Sequence, residues 1–304
     1  MTAPSTPRTD ELLTLGAVHL RVTDAPRAAR FWQEVVGLTP IAAPPEATVL
    51  GADDRPLVVL RETASRPATA GHSGLYHLAV HLPTEVEFAR VLARLSAVGW
   101  PASAVDHLFS QAIYLRDPDG IGVELALETP WRMREMGVDD RHGLYAVDHD
   151  GQYHSPSEPL DVPALLAVAD GTDLAAPADG AFIGHVHLSV PQLGPAVAFH
   201  RDQLGLIEHL NAPALGFADL HAGGAFTHRI ALNTFHGRSA PATPPTMAGM
   251  DRYAVRYDTP QRLAGATSRL ERAGIPMERG DAGALTVRDP GGNRVELSAP
   301  AGAR

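Results

Sequence analysis

Four copies of one short pattern run through this chain, and that repeat constrains its fold more than any single residue does. Each copy opens with a glycine and places a polar residue three positions later inside an apolar strand. The pairs are Gly16 and His19, Gly74 and His77, Gly184 and His187, and Gly249 and Arg252. A helical pattern follows each pair and stops at a second glycine: Gly37, Gly99, Gly205 and Gly274. Opening and closing glycines stand 21, 25, 21 and 25 residues apart, so unit one matches unit three and unit two matches unit four. Units this short cannot bury an apolar face alone and must pair with one another.

Local signals fill in each unit. Thr84 with Glu87 forms a capping box before FARVLARL, and Thr259 followed by Pro260 supplies a cap and a first-turn proline. In unit one, Phe31, Val35 and Leu38 mark an apolar helix face. Short strands follow each helix, such as PLVVLRE, AIYLRD, HRIALNTF and ALTVRD. Units two and four close alike: a D-P-x-G turn, at 117–120 and 289–292, leads into a strand carrying Glu124 or Glu296. Each unit therefore reads as βαβββ in an α+β fold. Two domains are expected, at 12–130 (units one and two) and 181–299 (units three and four). Residues 131–180, rich in Ala, Asp, Pro and Gly, read as a linker with one short helix near PLDVPALLAVA.

Composition narrows the chemistry. Twenty-five basic against 35 acidic residues give a net charge of −10, which leaves no basic footprint for nucleic acid. No apolar run approaches the roughly 20 residues that span a bilayer. The start, MTAPSTPRTDELLTL, lacks a basic segment and a long apolar core, so a cytoplasmic location is expected. Cysteine is absent, which removes thiolate metal sites and cysteine nucleophiles. Lysine is absent too, which removes Schiff-base chemistry and the P-loop lysine. Fifteen histidines remain, so His, Asp, Glu and Tyr must carry any reaction.

Unit two gathers such residues: His77 on its first strand, then His107, Ile113-Tyr114, the turn Asp117-Pro118-Asp119-Gly120, and Glu124. This run resembles the signature of the two-domain type I extradiol ring-cleavage dioxygenases. These belong to the vicinal oxygen chelate (glyoxalase/bleomycin resistance/extradiol dioxygenase) superfamily. Within it, the chain looks most like the catechol 2,3-dioxygenase-like subgroup of Bacillus type. The repeat that carries the fold covers both halves, whereas the signature covers unit two alone. The resemblance implies two domains with cupped mixed sheets and a non-haem Fe(II) held by two histidines and a carboxylate. Such a triad leaves three adjacent positions open, where a catecholate and dioxygen can meet. Mn(II) suits the same ligands. Histidine and tyrosine would supply the proton donor and the hydrogen bond that ring cleavage needs.

The resemblance assigns His77 and Glu124 as metal ligands and His107, Tyr114 and His228 as catalytic residues. The third ligand depends on which unit completes the site. Unit one offers His19 but no histidine on its last strand. Unit three offers His187, with His185 on the same strand face, and His228 at the start of its last strand. Side-chain supply favours units two with three and one with four. That makes His187 the expected third ligand, His19 the reserve, and His185 a residue that orients His187 or touches substrate. His81 shares a strand face with His77 but lies far along it. The remaining histidines read as surface or hydrogen-bonded residues. In unit four, Arg252 replaces the ligand histidine, and a salt bridge with Glu296 is expected in place of the metal. The partners expected are a small aromatic diol and dioxygen, and edge pairing in this fold makes a homo-oligomer an expectation. Two other readings stay open: a glyoxalase-type metal-dependent lyase or isomerase, and a metal-free binding protein of the bleomycin-resistance type. The lyase needs a carboxylate or amide at a second last-strand position, where unit three offers His228 or an apolar residue.

Overall fold

Alternation along the first strand of unit two fixes both faces of its sheet. In Gly74–His81, Leu78 and Val80 point to one side and His77, Ala79 and His81 to the other. Leu78 and Val80 are wholly buried in a core that includes Phe88 and Leu95 of the helix Glu85–Val98. The opposite face is left for polar residues. The computed structural model describes residues 11–280 and 283–300.

Every unit is βαβββ. The first strands are Leu13–Val22, Gly74–His81, Phe182–Ser189 and Gly249–Tyr257. The last strands are Arg55–Glu62, Gly122–Glu128, Ile230–Asn233 and Arg294–Ser298. Thr84 caps its helix by accepting from the Glu87 amide, and Thr259 does the same for Arg262. In units one and three the helix passes into a short π-helical turn, Trp32–Val36 and Phe199–Gln203.

The units pair across the sequence halves. A nine-stranded sheet joins units two and three through an antiparallel contact between their first strands. An eight-stranded sheet joins units four and one in the same way. Neither sheet is confined to residues 12–130 or 181–299. The stretch 131–180 is also more than a connection. It builds a three-stranded sheet of Met133–Asp139, Gly143–Asp148 and Tyr153–His154. It then adds Glu158–Pro159 to the edge of the large sheet and forms the helix Val162–Val168, which buries Leu165. No helix among the described residues is long and apolar enough to cross a membrane.

The two sheets are tied where it matters for the site. In the turn Asp117–Gly120, Asp117 Oδ1 accepts from the amides of Asp119 and Ile121, and Gly120 supplies φ +81°. The buried Asp119 carboxylate accepts from Thr23 N at 2.7 Å, Thr23 Oγ1 at 2.5 Å and Arg27 Nη2 at 2.6 Å. Unit one thus clamps the turn that launches the Glu124 strand.

In the eight-stranded sheet, Arg252 Nε donates to Glu296 Oε2 at 2.9 Å, and its Nη1 to Asp251 at 3.0 Å. The expected ion pair is present, but it is not sealed: the side chains are 19% and 29% exposed. The cost of Arg252→Ala is therefore that of a partly solvated pair, about 1 kcal/mol, read as a lower urea midpoint with unchanged metal content.

Candidate metal centre

The site is assembled from one row of the nine-stranded sheet. Tyr114 pairs with Glu124, Glu124 with Ala79, and Ala79 with His185, across four adjacent strands. Side chains that pair across a sheet share a face. Ala79 carries only a methyl group, so Glu124 and His185 reach over it and meet. His185 Nε2 lies 3.1 Å from Glu124 Oε2, and His77 Nε2, from the neighbouring row, lies 2.9 Å from the same oxygen. His77 and His185 bring their Nε2 atoms within 3.3 Å of each other. The ligand atoms of His77, Glu124 and His185 all fall within 4.8 Å of one another, and all three residues are buried.

This set differs from the expected one. His187 pairs directly with His77 across the strands, their rings 4.7 Å apart, but its Nε2 is taken by Asn233 Nδ2 at 2.8 Å. The Asn233 amide is oriented in turn, because its Oδ1 accepts from the Phe235 amide. Among the described residues it is His185, not the expected His187, whose nitrogen joins His77 and Glu124, and His187 stands beside the cluster. The physical reason is register. Seven residues separate His77 from its helix cap Thr84, and seven separate His185 from Gln192. The same interval from Asp24 and Thr259 falls on Ala17 and Arg252. Counting from the opening glycine misplaces units one and three by two residues, and the first strand of unit three is irregular on both sides of this segment. His19, the expected reserve, stands in the other sheet opposite Arg252, with burial and that arginine holding its pKa down to about 4.

The same two-fold logic locates the counterpart of Glu124. Glu124 pairs with Ala79, two residues beyond His77; two residues beyond His185 is His187, which pairs with Ala231. Unit three thus offers a methyl group where unit two offers a carboxylate. Three donors converge, and the fourth place has none.

Electrostatics suit a cation. Burial alone would raise the pKa of Glu124, but His185 and His77 reverse this and hold it well below the carboxylate range. Burial lowers the His77 pKa despite Glu124 beside it, and lowers that of His187 further. Neutral imidazoles and an ionised carboxylate are the forms that bind a divalent metal. A buried ionised carboxylate is costly without a cation to balance it.

Tyr114 stands beside this cluster. Its hydroxyl lies 2.8 Å from His107 Nε2, while His107 Nδ1 faces the Pro156 carbonyl. A carbonyl only accepts, so His107 carries its proton on Nδ1 and accepts the Tyr114 hydroxyl on Nε2. The loop holding His107 is fixed by Asp106, which accepts a fork from Arg132 at 3.0 and 2.9 Å and the Leu108 amide at 2.8 Å. Burial and Glu124 push the Tyr114 pKa well up, so the phenol stays protonated. His228 approaches from unit three, its ring 4.4 Å from that of His185. Its Nδ1 is 3.2 Å from Thr227 Oγ1 and 3.6 Å from the buried Asp219. Burial, then His185, keeps His228 neutral.

His77, Glu124, His185, Tyr114, His107 and His228 open onto one cavity of about 980 Å³. Leu75, Trp100, Phe109, Met136 and Phe217 give it apolar walls, and His72 and His236, expected as surface or hydrogen-bonded residues, also line it. Arg116 is the one arginine lining it among the described residues, with Nη1 donating to the Gly120 carbonyl.

Comparison with known proteins places the fold. The model of the glyoxalase/bleomycin resistance protein/dioxygenase superfamily matches residues 14–125 and again 182–297. A catechol-2,3-dioxygenase of Bacillus subtilis (strain 168) is 31% identical over 279 residues, covering 91% of this chain and 93% of that protein. Among solved structures, a Bacillus subtilis protein whose dioxygenase activity is inferred aligns with TM-score 0.62 at 16% identity, over 95% of this chain and 86% of its own. Glyoxalase I from Zea mays aligns with TM-score 0.54 at 14% identity, over 94% and 92%. At such identities these structures speak for the fold alone.

Proposed function

The chain belongs to the glyoxalase/bleomycin resistance protein/dioxygenase superfamily, and from that premise we propose that it is an Fe(II)-dependent extradiol dioxygenase acting on a catechol-type substrate. His77, Glu124 and His185 would hold the metal. One observation carries the reading: three buried donors converge while Ala231 leaves the fourth place without one. A glyoxalase-type site needs a further carboxylate or amide there. When bound, Fe(II) on a three-ligand face supplies adjacent open positions for a catecholate and dioxygen. Mn(II) fits the same donors, and the donor set does not choose between them.

The chain's own residues do the remaining work. Tyr114 holds its hydroxyl at the cavity wall, the proton directed to His107 Nε2, and its oxygen can accept from a substrate hydroxyl. His228, beside His185, offers an imidazole that can take or give a proton as the ring opens. The apolar walls exclude water and favour a ring with apolar substituents. A carboxylate substituent would find only Arg116, already hydrogen-bonded to the chain.

The test is oxygen uptake with catechol and with an alkyl- or aryl-substituted catechol, following the yellow ring-opened product alongside iron analysis. Stoichiometric oxygen consumption and ring cleavage are expected; bound metal without oxygen uptake would redirect the reading to a lyase or isomerase. Tyr114→Phe and His228→Ala should each keep the metal and lose turnover, by about 10²–10⁴-fold as for lost proton transfer. Wild-type turnover in His228→Ala would remove that residue from the chemistry and leave His107.

A further inference from the structure

His185 has two ring nitrogens, and both are committed. Nε2 faces Glu124, while Nδ1 lies 3.2 Å from His81 Nε2. His81 Nδ1 lies 3.4 Å from Glu128 Oε1. A continuous line of polar groups therefore runs Glu124, His185, His81, Glu128. His81 is 1% exposed and His185 4%.

With a cation bound, Glu124 no longer takes a proton from His185 Nε2, and the line can then be ordered from its Glu128 end. The Glu128 carboxylate, 3.4 Å from His81 Nδ1, favours the tautomer of His81 that carries its proton on that nitrogen. His81 Nε2 is then an acceptor, and His185 must donate to it from Nδ1. The lone pair of His185 is thereby fixed on Nε2, the atom that points at His77 and Glu124. The place of His81 is built into the strand pair. A Cβ on Gly184 would stand 1.9 Å from His81 Cδ2, so only glycine admits the ring there. Phe182 and Phe226 flank it at 5.4 and 6.2 Å between ring centres.

We propose that His81 and Glu128 are positioning residues that hold His185, by tautomer and ring orientation, as a metal ligand. This rests on reading His77, Glu124 and His185 as the metal site. It also gives the second nitrogen of His185 a purpose that His187, bound to Asn233, does not share.

The test titrates Mn(II) into the full chain against a chelating dye and records the visible absorption of the Co(II)-loaded form. His81→Phe removes the acceptor and should weaken Mn(II) binding about 10–100-fold, the usual cost of losing such a partner. It should also alter the Co(II) spectrum. His81→Gln, whose amide oxygen can still accept from His185, should recover most of the affinity; a merely structural role would give no such rescue. A folded His81→Phe chain with wild-type affinity and spectrum overturns the proposal. Should His81→Phe fail to fold, Glu128→Gln decides, with weaker binding expected and unchanged binding refuting it. Glu124→Ala separates the two levels. If Glu124→Ala loses Mn(II) while the His81 and Glu128 variants keep it, the positioning role alone falls. If the unaltered chain binds no Mn(II), or Glu124→Ala binds it equally well, the site reading falls and the positioning role with it.

Discussion

Replacing Glu124 by alanine is expected to abolish metal uptake and ring cleavage together. Both histidines that face it, His77 at 2.9 Å and His185 at 3.1 Å, converge on one of its oxygens. It is the only carboxylate in the cluster, and the fourth place holds Ala231. Among the described residues no second carboxylate joins the cluster. His77→Ala should behave the same way, since each change removes one of three ligands. Metal analysis after gel filtration is the direct measurement; stoichiometric metal in either variant would end the triad assignment. Fold loss is a poor explanation for the expected result, because the alanine also removes a buried charge that burial penalises. Circular dichroism of the metal-free variant should match that of the metal-free parent.

The second large effect separates two histidines that stand two residues apart. His185→Ala should lose the metal, whereas His187→Ala should keep it. His185 presents Nε2 to the cluster; His187 spends Nε2 on Asn233. The ring of His187 still touches that of His77, so some loss of turnover would not contradict this. Metal content is the deciding readout, and the reverse pattern would restore His187 as the third ligand.

How far the sequence reached depends on what each feature required. The four-unit repeat was legible because glycines that stop helices recur at fixed intervals. The pairing of unit two with unit three followed from where histidines were available. His77, Glu124, Tyr114 and His107 come together because they lie in one unit, linked by a turn whose chemistry is local. The Arg252–Glu296 pair was legible because a basic residue stood where its partner units carry histidine. His185 was harder. It lies in a strand with local irregularities, and glycine counting lands on His187; counting back from the helix cap would have found it. His81 seemed too distant because four residues along a strand span about 13 Å. The antiparallel neighbour closes that gap: His185 stands diagonally opposite, and its second nitrogen is reached across the strands, not along them. The sheet built by residues 133–154 was hidden by a composition that resembles a loop.

Unit pairing across the halves has a consequence for how this chain is completed. His77 and Glu124 precede the 131–180 stretch, and His185 follows it. Neither half, made alone, would own a full set of donors. A chain cut within that stretch should therefore yield two fragments that each bind metal poorly and bind it well only when mixed. The ion would then report assembly itself, and by mass action it would draw the two pieces together, adding RT ln(1 + [M]/Kd) to their association. Metal supply would set not only whether the site can react but how firmly the two ends of the chain are joined.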